Sequence, residues 1–345
     1  MTEEIPNRSG DAFTTDDESQ ILNAIDKWLD KEVKDKVLAL DHADEYPIQM
    51  VEQMKSLGLF GATISQKYGG LGMPSASYAK VVTAVSEVWM SLSGIFNSHL
   101  IMAAAVERFG TEDQKQRFLP KFATGEIRGG LALTEPSCGT DLQAIRTKAH
   151  KEGDHYLING SKTWISNGIE GDCVALLVKT DTEIQPRHKG MSLFLAEKGP
   201  GFSAGPKLEK LGYKGIDSAE LFFDNYVIAA DNLIGGEEGQ GFHHTVGGLE
   251  LGRINVAARG VGVANAALKA ATSYAQTRET MGKPIGQHQA IQTKLGDMAT
   301  RCHAARLLVQ DAAQAYDRGE RCDMEAGMAK LFASEAAMEN ASECM

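Results

Sequence analysis

Between Leu131 and Gly168 the chain reads LALTEPSCGTDLQAIRTKAHKEGDHYLINGSKTWISNG, and few folds accommodate that order of turns and strands. Asn159-Gly160 is the residue pair that a type I′ turn demands, because both central positions need a positive φ. Tyr156-Leu157-Ile158 enters that turn and Lys162 to Ser166 leaves it. Gly153-Asp154 gives a second turn signal just upstream. The expectation is three consecutive strands. They follow a polar loop, Thr134 to Thr140, whose hydroxyls and backbone N–H groups can ring a polar heterocycle.

The rest of the chain divides by periodicity. From about Glu18 to Gly125 the apolar spacing is helical, with Ile21, Ile25, Trp28, Leu29 and Val33 recurring at three and four. Val81 to Val106 carries few charges and reads as buried helix. From about Arg128 to Gly239 short β-rich runs take over, among them Val174–Val178, Met191–Leu195 and Ala219–Phe223. From Gly241 three long Ala-rich helical segments follow. The expected division is a disordered acidic tail over 1–17, an all-helical domain over 18–127, a middle β domain over 128–240 and a helical domain over 241–345. The 345 residues suffice for two or three domains with substantial cores.

Charge narrows the function. A net charge of −11 disfavours nucleic acid, which needs a basic footprint. No apolar run approaches the roughly 20 residues of a membrane span. Arg8 is the one basic residue in Met1–Gln20, unlike a signal or transit peptide. That predicts a cytoplasmic protein, or a matrix one if the source is eukaryotic. The five cysteines form no CxxC pair, so reduced thiols are expected rather than disulfides or zinc. Gly260-Val261-Gly262 lacks a preceding strand and is not a dinucleotide fingerprint. His243 and His244 are adjacent, so they diverge on a helix and cannot readily share a metal.

The long segment closely resembles the signature of the acyl-CoA dehydrogenase family of flavoenzymes: ALTEP, then a small-residue turn ending G-T-D, then ING-K-WISNG. Further matches are Tyr68–Gly72, Phe109–Lys115, Lys210-Leu211-Gly212 and Gln287–Gln292. The resemblance implies an α+β fold: an N-terminal helical domain, a middle β-barrel or sandwich, and a C-terminal helical bundle, here truncated. It implies FAD as cofactor and α,β-dehydrogenation of an acyl-CoA thioester. Electrons would pass to an electron-transfer flavoprotein. The assembly implied is a homo-oligomer, a dimer of dimers. The same resemblance also admits oxidase or monooxygenase chemistry on this flavin cradle, or a non-catalytic acyl-CoA-binding homologue.

Site roles are implied residue by residue. Thr134 lies beside the pyrimidine edge of the flavin, with backbone groups of Leu131 and Leu133 nearby. Thr140 matches a family serine that touches the flavin pyrophosphate or the ligand. Trp164 stacks near the ring, and the Ser166 hydroxyl donates toward N5. Arg278 and Gln289 reach the pyrophosphate and adenosine of a neighbouring subunit's FAD; the planar guanidinium fork suits phosphate. Glu250 and Arg253 lie along the acyl-CoA in a segment expected to open a helix. One branch of the family carries its catalytic Glu one residue before that Arg, where this chain has Gly252. The base is therefore expected beyond Met345, and Gly252 leans toward straight-chain substrates.

Overall fold

The computed structural model describes residues 13–345. Helices α1 (Thr15–Trp28), α2 (Val37–Ala43), α3 (Ile48–Ser56), α4 (Ser75–Phe109) and α5 (Glu112–Thr124) come first. Strands β1 (Gly129–Ala132), β2 (Lys148–Glu152), β3 (His155–Ser166), β4 (Cys173–Lys179), β5 (Met191–Glu197), β6 (Phe202–Lys207) and β7 (Ser218–Ala229) follow. Helix α6 (Gly241–Thr277), a short hairpin of β8 (Glu279–Thr280) and β9 (Lys283–Pro284), and helices α7 (Gln289–Asp317) and α8 (Asp323–Cys344) complete the chain. The chain forms two compact units. One gathers the chain through Leu38, Pro74–Ser93 and Glu250–Met345; the other gathers Ala39–Met73 and Gly94–Leu249.

The acidic tail expected over 1–17 falls mostly on residues 1–12, outside the described residues. Helix α1 already begins at Thr15, because Thr14 and Asp17 form a capping box: the Thr14 hydroxyl accepts from Asp17 N–H and the Asp17 carboxylate accepts from Thr14 N–H. In the same unit α7 packs on α8 through small buried residues, Ala305 and Ala312 on one, Ala329 and Ala333 on the other. Gly260 lets α6 approach α8 closely; a Cβ there would stand 2.6 Å from the Ala333 carbonyl oxygen. Asn340, fully buried, donates to the Met298 carbonyl at 3.1 Å and so ties α8 to α7.

In the second unit a seven-stranded sheet runs in the order β1-β4-β2-β3-β7-β6, with β5 pairing β4 off that path. Strand β4 is paired with β1, β2 and β5, and its residues from Cys173 to Val178 are buried on both faces, so Val174–Val178 is uninterruptedly apolar. The Gly153-Asp154 turn closes the β2–β3 hairpin as expected, with Glu152 opposite His155 and Gly153 at φ +64°. The Asn159-Gly160 turn does not form. Strand β3 runs straight through it, and the pair instead makes an irregularity in the β3–β7 register between Ile158 and Gly160. Gly160 takes φ +147°, where a Cβ would sit 2.5 Å from the Thr147 hydroxyl oxygen. Asn159 bonds across to Asn225, accepting from its backbone N–H at 2.9 Å. Two strands therefore stand where three were expected.

Helix α5 explains the Thr111-Glu112-Asp113-Gln114 motif. Thr111 and Gln114 form a capping box, and Gly125 at φ +73° ends the helix. The buried Gln114 amide also donates to the Asp231 and Leu233 carbonyls at 2.8 and 2.6 Å.

Helix α4 is broken at Trp89, which has φ −154° and ψ 106°. Among the described residues it is the one helix long and apolar enough to cross a membrane, and 72% of its apolar window is buried in protein. Beyond the break, His99 sits edge-on between the Phe60 and Phe122 rings, with Nε2 3.0 Å from the Phe122 carbonyl oxygen. Burial pushes its pKa down to about 4, against the upward pull of that carbonyl. His244, stacked on Phe109, is likewise pushed down to about 4, by burial. An unfolded histidine binds its proton near pH 6.5, so these groups leave stability flat above that value. Stability falls as pH drops from 6.5 toward 4. For His99 the loss across that window is about 3 kcal/mol. Denaturant unfolding at pH 7 and pH 4.5 reads it, and His99→Leu flattens the difference.

Candidate functional site

The loop leaving β1 and the bulged half of β3 enclose an open groove of ≈ 540 Å³. It is lined by Thr134 to Gly139, Thr163, Trp164, Leu208 and Glu220. The sheet fixes both walls. The loop folds on itself where Glu135 and Cys138 exchange backbone bonds, Glu135 N–H to the Cys138 carbonyl at 2.9 Å and Cys138 N–H back at 3.1 Å. The Thr134 carbonyl accepts from Thr163 N–H at 2.9 Å and joins the loop to β3.

Between Lys162 and Ile165 the β3–β7 register shifts again, and Trp164 takes φ +59°. That backbone turns the indole out of the sheet, leaving it 58% exposed. A large aromatic held outward in a left-handed conformation is a sparsely populated arrangement that costs on the order of 1–3 kcal/mol. It suits a flat ligand stacking on the indole face.

Beneath the groove lies a buried ion pair. Lys162 Nζ is 2.8 Å from Glu135 Oε1, with side-chain exposures of 0% and 4%. The ammonium also donates to the Leu133 carbonyl at 3.1 Å. The Glu135 carboxylate accepts from the Arg146 and Thr147 N–H groups at 2.6 and 3.0 Å. Burial alone would push the Glu135 carboxyl up, but the Lys162 charge and these bonds outweigh it and hold the pKa below the ordinary carboxylate value. Burial holds the Lys162 ammonium below its ordinary value, against the pull of Glu135. Burial and the Glu135 charge together raise the nearby Cys138 thiol.

The sequence-derived residues fall into two sets. Thr134 and Trp164 line the groove together. Leu131 lies on β1 and Leu133 at the start of the loop, both partly exposed. Ser166, partly exposed, pairs with Ser218 on β7 at the end of β3, and its carbonyl oxygen lies 2.7 Å from where a Cβ of Gly130 would stand. Thr140 is exposed and does not line the groove.

Glu250, Arg253, Arg278 and Gln289 belong to the other unit. Helix α6 begins at Gly241, so Glu250 is well inside it rather than in its first turn. The charges of Glu250 and Arg253 act on Arg321 and Asp323 respectively, beside the start of α8. Arg278 is exposed just past the end of α6 and Gln289 opens α7, on either side of the β8–β9 hairpin. No group of three or more His, Cys, Asp or Glu able to hold a metal occurs among the described residues.

Sequence reasoning missed Glu135, Lys162 and Asn167. The signal for Lys162 was its phase: in step with Tyr156 and Ile158 it occupies an inward position of β3, where a charge needs a buried partner.

The groove fits an isoalloxazine. Because Lys162 engages the Leu133 carbonyl, the trans peptide Leu133–Thr134 turns its N–H away from the ammonium. That N–H, the Thr134 hydroxyl and the Trp164 indole are groups that can offer donors to a ring edge and a surface to a ring face.

Three family matches cover most of the chain: acyl-CoA dehydrogenase, N-terminal domain, over 15–126; middle domain over 130–226; and C-terminal domain over 239–345. An acyl-CoA dehydrogenase of Bacillus subtilis is 39% identical over 333 residues, covering 96% of this chain and 87% of that one. The structure of butyryl-CoA dehydrogenase from Megasphaera elsdenii superposes with a TM-score of 0.92 at 34% identity, over 97% of this chain and 88% of that one. A chain solved in work on the electron transferring flavoprotein of Acidaminococcus fermentans gives a TM-score of 0.92 at 36% identity, over 97% and 88%. With a bulged tryptophan facing a threonine loop, and with matches to all three domains, this chain belongs to the acyl-CoA dehydrogenase family of FAD-dependent oxidoreductases.

Proposed function

We propose that this enzyme dehydrogenates short straight-chain acyl-CoA thioesters to trans-2-enoyl-CoA and passes the electrons to an electron-transfer flavoprotein. The observation that carries the reading is the groove where Trp164 and Thr134 meet. Bound FAD would supply the electron sink for the substrate's β-hydrogen. The protein's share is positioning. Trp164 offers its face to the ring, Thr134 its N–H and hydroxyl to the pyrimidine edge, and Ser166 its hydroxyl toward N5. Backbone groups of Leu131 and Leu133 extend that cradle, and Thr140, outside the groove, is assigned to the flavin pyrophosphate or the ligand.

In the other unit Glu250 and Arg253 are assigned to the acyl-CoA. Arg278 and Gln289 are assigned to FAD of a neighbouring subunit in a homo-oligomer. No carboxylate named here is assigned as the base that takes the α-proton. Gly252, and the likeness to an enzyme that acts on butyryl-CoA, support short straight chains.

The test is an anaerobic visible spectrum of the flavin-loaded protein, before and after addition of butyryl-, octanoyl-, palmitoyl- and isovaleryl-CoA. The reading predicts bleaching of the flavin band, fastest with butyryl-CoA. Bleaching with isovaleryl-CoA alone overturns the straight-chain assignment. A band that no acyl-CoA bleaches or shifts overturns the substrate class. Rapid reoxidation by air with release of peroxide overturns the electron-transfer partner.

A further inference from the structure

The buried pair of Glu135 and Lys162 has a feature that a simple strut would not need. To hold the loop against β3, Lys162 requires only Glu135, 2.8 Å away. It makes a second bond, to the Leu133 carbonyl at 3.1 Å. That carbonyl and the Thr134 N–H belong to one peptide unit, and in a trans peptide they point in opposite directions. The N–H is thus turned away from the ammonium, and Thr134 lines the groove. A carbonyl that accepts from a cation draws density out of its own amide, which makes the N–H on the far side a stronger donor. The low-dielectric setting, with Lys162 fully buried, preserves that polarisation.

We propose that Lys162, fixed by Glu135, acts through the Leu133–Thr134 peptide to strengthen the Thr134 N–H toward the ring edge of bound flavin and so favours the reduced over the oxidised cofactor. The proposal rests on the reading that places Thr134 at that edge. A hydride carries two electrons and one proton, so its uptake adds one net negative charge to the ring system. A stronger donor at the edge stabilises that charge more than it stabilises the neutral oxidised ring. On reoxidation the two electrons would leave to the external acceptor and the proton to solvent, and Lys162 exchanges no proton in either step. It is a positioning residue, without contact to substrate.

The test uses flavin-loaded protein and two readouts: the equilibrium constant for two-electron reduction, from an anaerobic titration against a reference dye, and the dissociation constant of oxidised FAD. Glu135→Gln/Lys162→Met removes both charges together with near-isosteric neutral groups, a replacement that buried pairs commonly tolerate. The expected result is a fall of about tenfold in the reduction equilibrium constant, ~30 mV for a two-electron couple. Oxidised FAD still binds. A wild-type reduction equilibrium in the FAD-loaded double variant overturns the proposal and leaves the cradle reading standing. If Trp164→Ala binds FAD as wild type does, the cradle reading fails and the proposal with it. Should the double variant not fold, Glu135→Gln/Lys162→Gln, which keeps a neutral donor toward Leu133, carries the test. A smaller fall of the same sign supports the proposal and no fall overturns it.

Discussion

Lys162→Met lowers the stability of the protein by about 3–5 kcal/mol, the range for a buried pair that loses one partner. Lys162 is 0% exposed, and its loss leaves the Glu135 carboxylate, 4% exposed, with two backbone N–H donors and no counter-charge. The direct Coulomb attraction is not the main part of that figure. Most of it is the desolvation of an anion that no longer has compensation. The pH dependence separates the two proteins. In the wild type the Glu135 pKa is depressed, so its contribution is present above the ordinary carboxylate value and disappears as pH falls through the folded-state value. In Lys162→Met the unpaired, buried carboxyl titrates high, so the penalty is present at neutral pH and relaxes as pH falls toward 4.5. Adding Glu135→Gln to Lys162→Met restores most of the loss at pH 7. Denaturant midpoints of the three proteins at pH 5 and pH 7.5 provide the check. Equal losses for the single and double variants would mean the loop is held by packing, not by the pair.

The second large effect falls on Asn167, at the end of the bulged strand. It takes φ +59° and is 1% exposed. Its Nδ2 donates to the Ile95 carbonyl at 2.9 Å and to the Gly129 carbonyl at 2.8 Å, so one amide ties α4 to the start of β1. Asn is among the few side chains that adopt this backbone conformation readily. Asn167→Leu strands two buried acceptors, at about 1–3 kcal/mol each, and adds roughly 1–2 kcal/mol for a left-handed backbone. The expected loss is on the order of 4 kcal/mol. Asn167→Gly removes the same donors but not the backbone freedom, so it loses measurably less. Unfolding curves for both variants, compared at one pH, give the backbone share as their difference. Identical losses would show that the conformation carries no strain.

What could be read from the sequence follows the range of the interactions. The Gly153-Asp154 hairpin is local, and its turn is written in two consecutive residues. The loop from Thr134 to Gly139 was legible as a polar turn because its motif is contiguous, and Trp164, which lines the same groove, was picked out within it. Asn159-Gly160 misled because the same positive-φ preference serves a bulge as well as a turn. What decides between them is Thr147, packed against Gly160, and Asn225 across the β3–β7 ladder. Glu135 and Lys162 were both inside the quoted motif, yet their pairing depends on how β1 and β3 are brought together through the sheet. Helix α6 starts before Glu250 because Gly247, which looks like a breaker, is where Phe109 packs: a Cβ there would be 2.9 Å from that ring.

The central claim is that the groove between Thr134 and Trp164 holds the flavin ring. The most direct measurement is the FAD dissociation constant of the apoprotein by absorbance titration, for wild type, Trp164→Ala and Val227→Ala. Val227, 56% exposed, lines a separate groove on the same sheet unit. Losing an indole that stacks on a flat ring weakens binding by about 0.5–1.5 kcal/mol beyond the contact area it removes. The account therefore predicts FAD binding roughly tenfold weaker in Trp164→Ala, with a shifted flavin band, and unchanged in Val227→Ala. Wild-type affinity and an unshifted band in Trp164→Ala would contradict it.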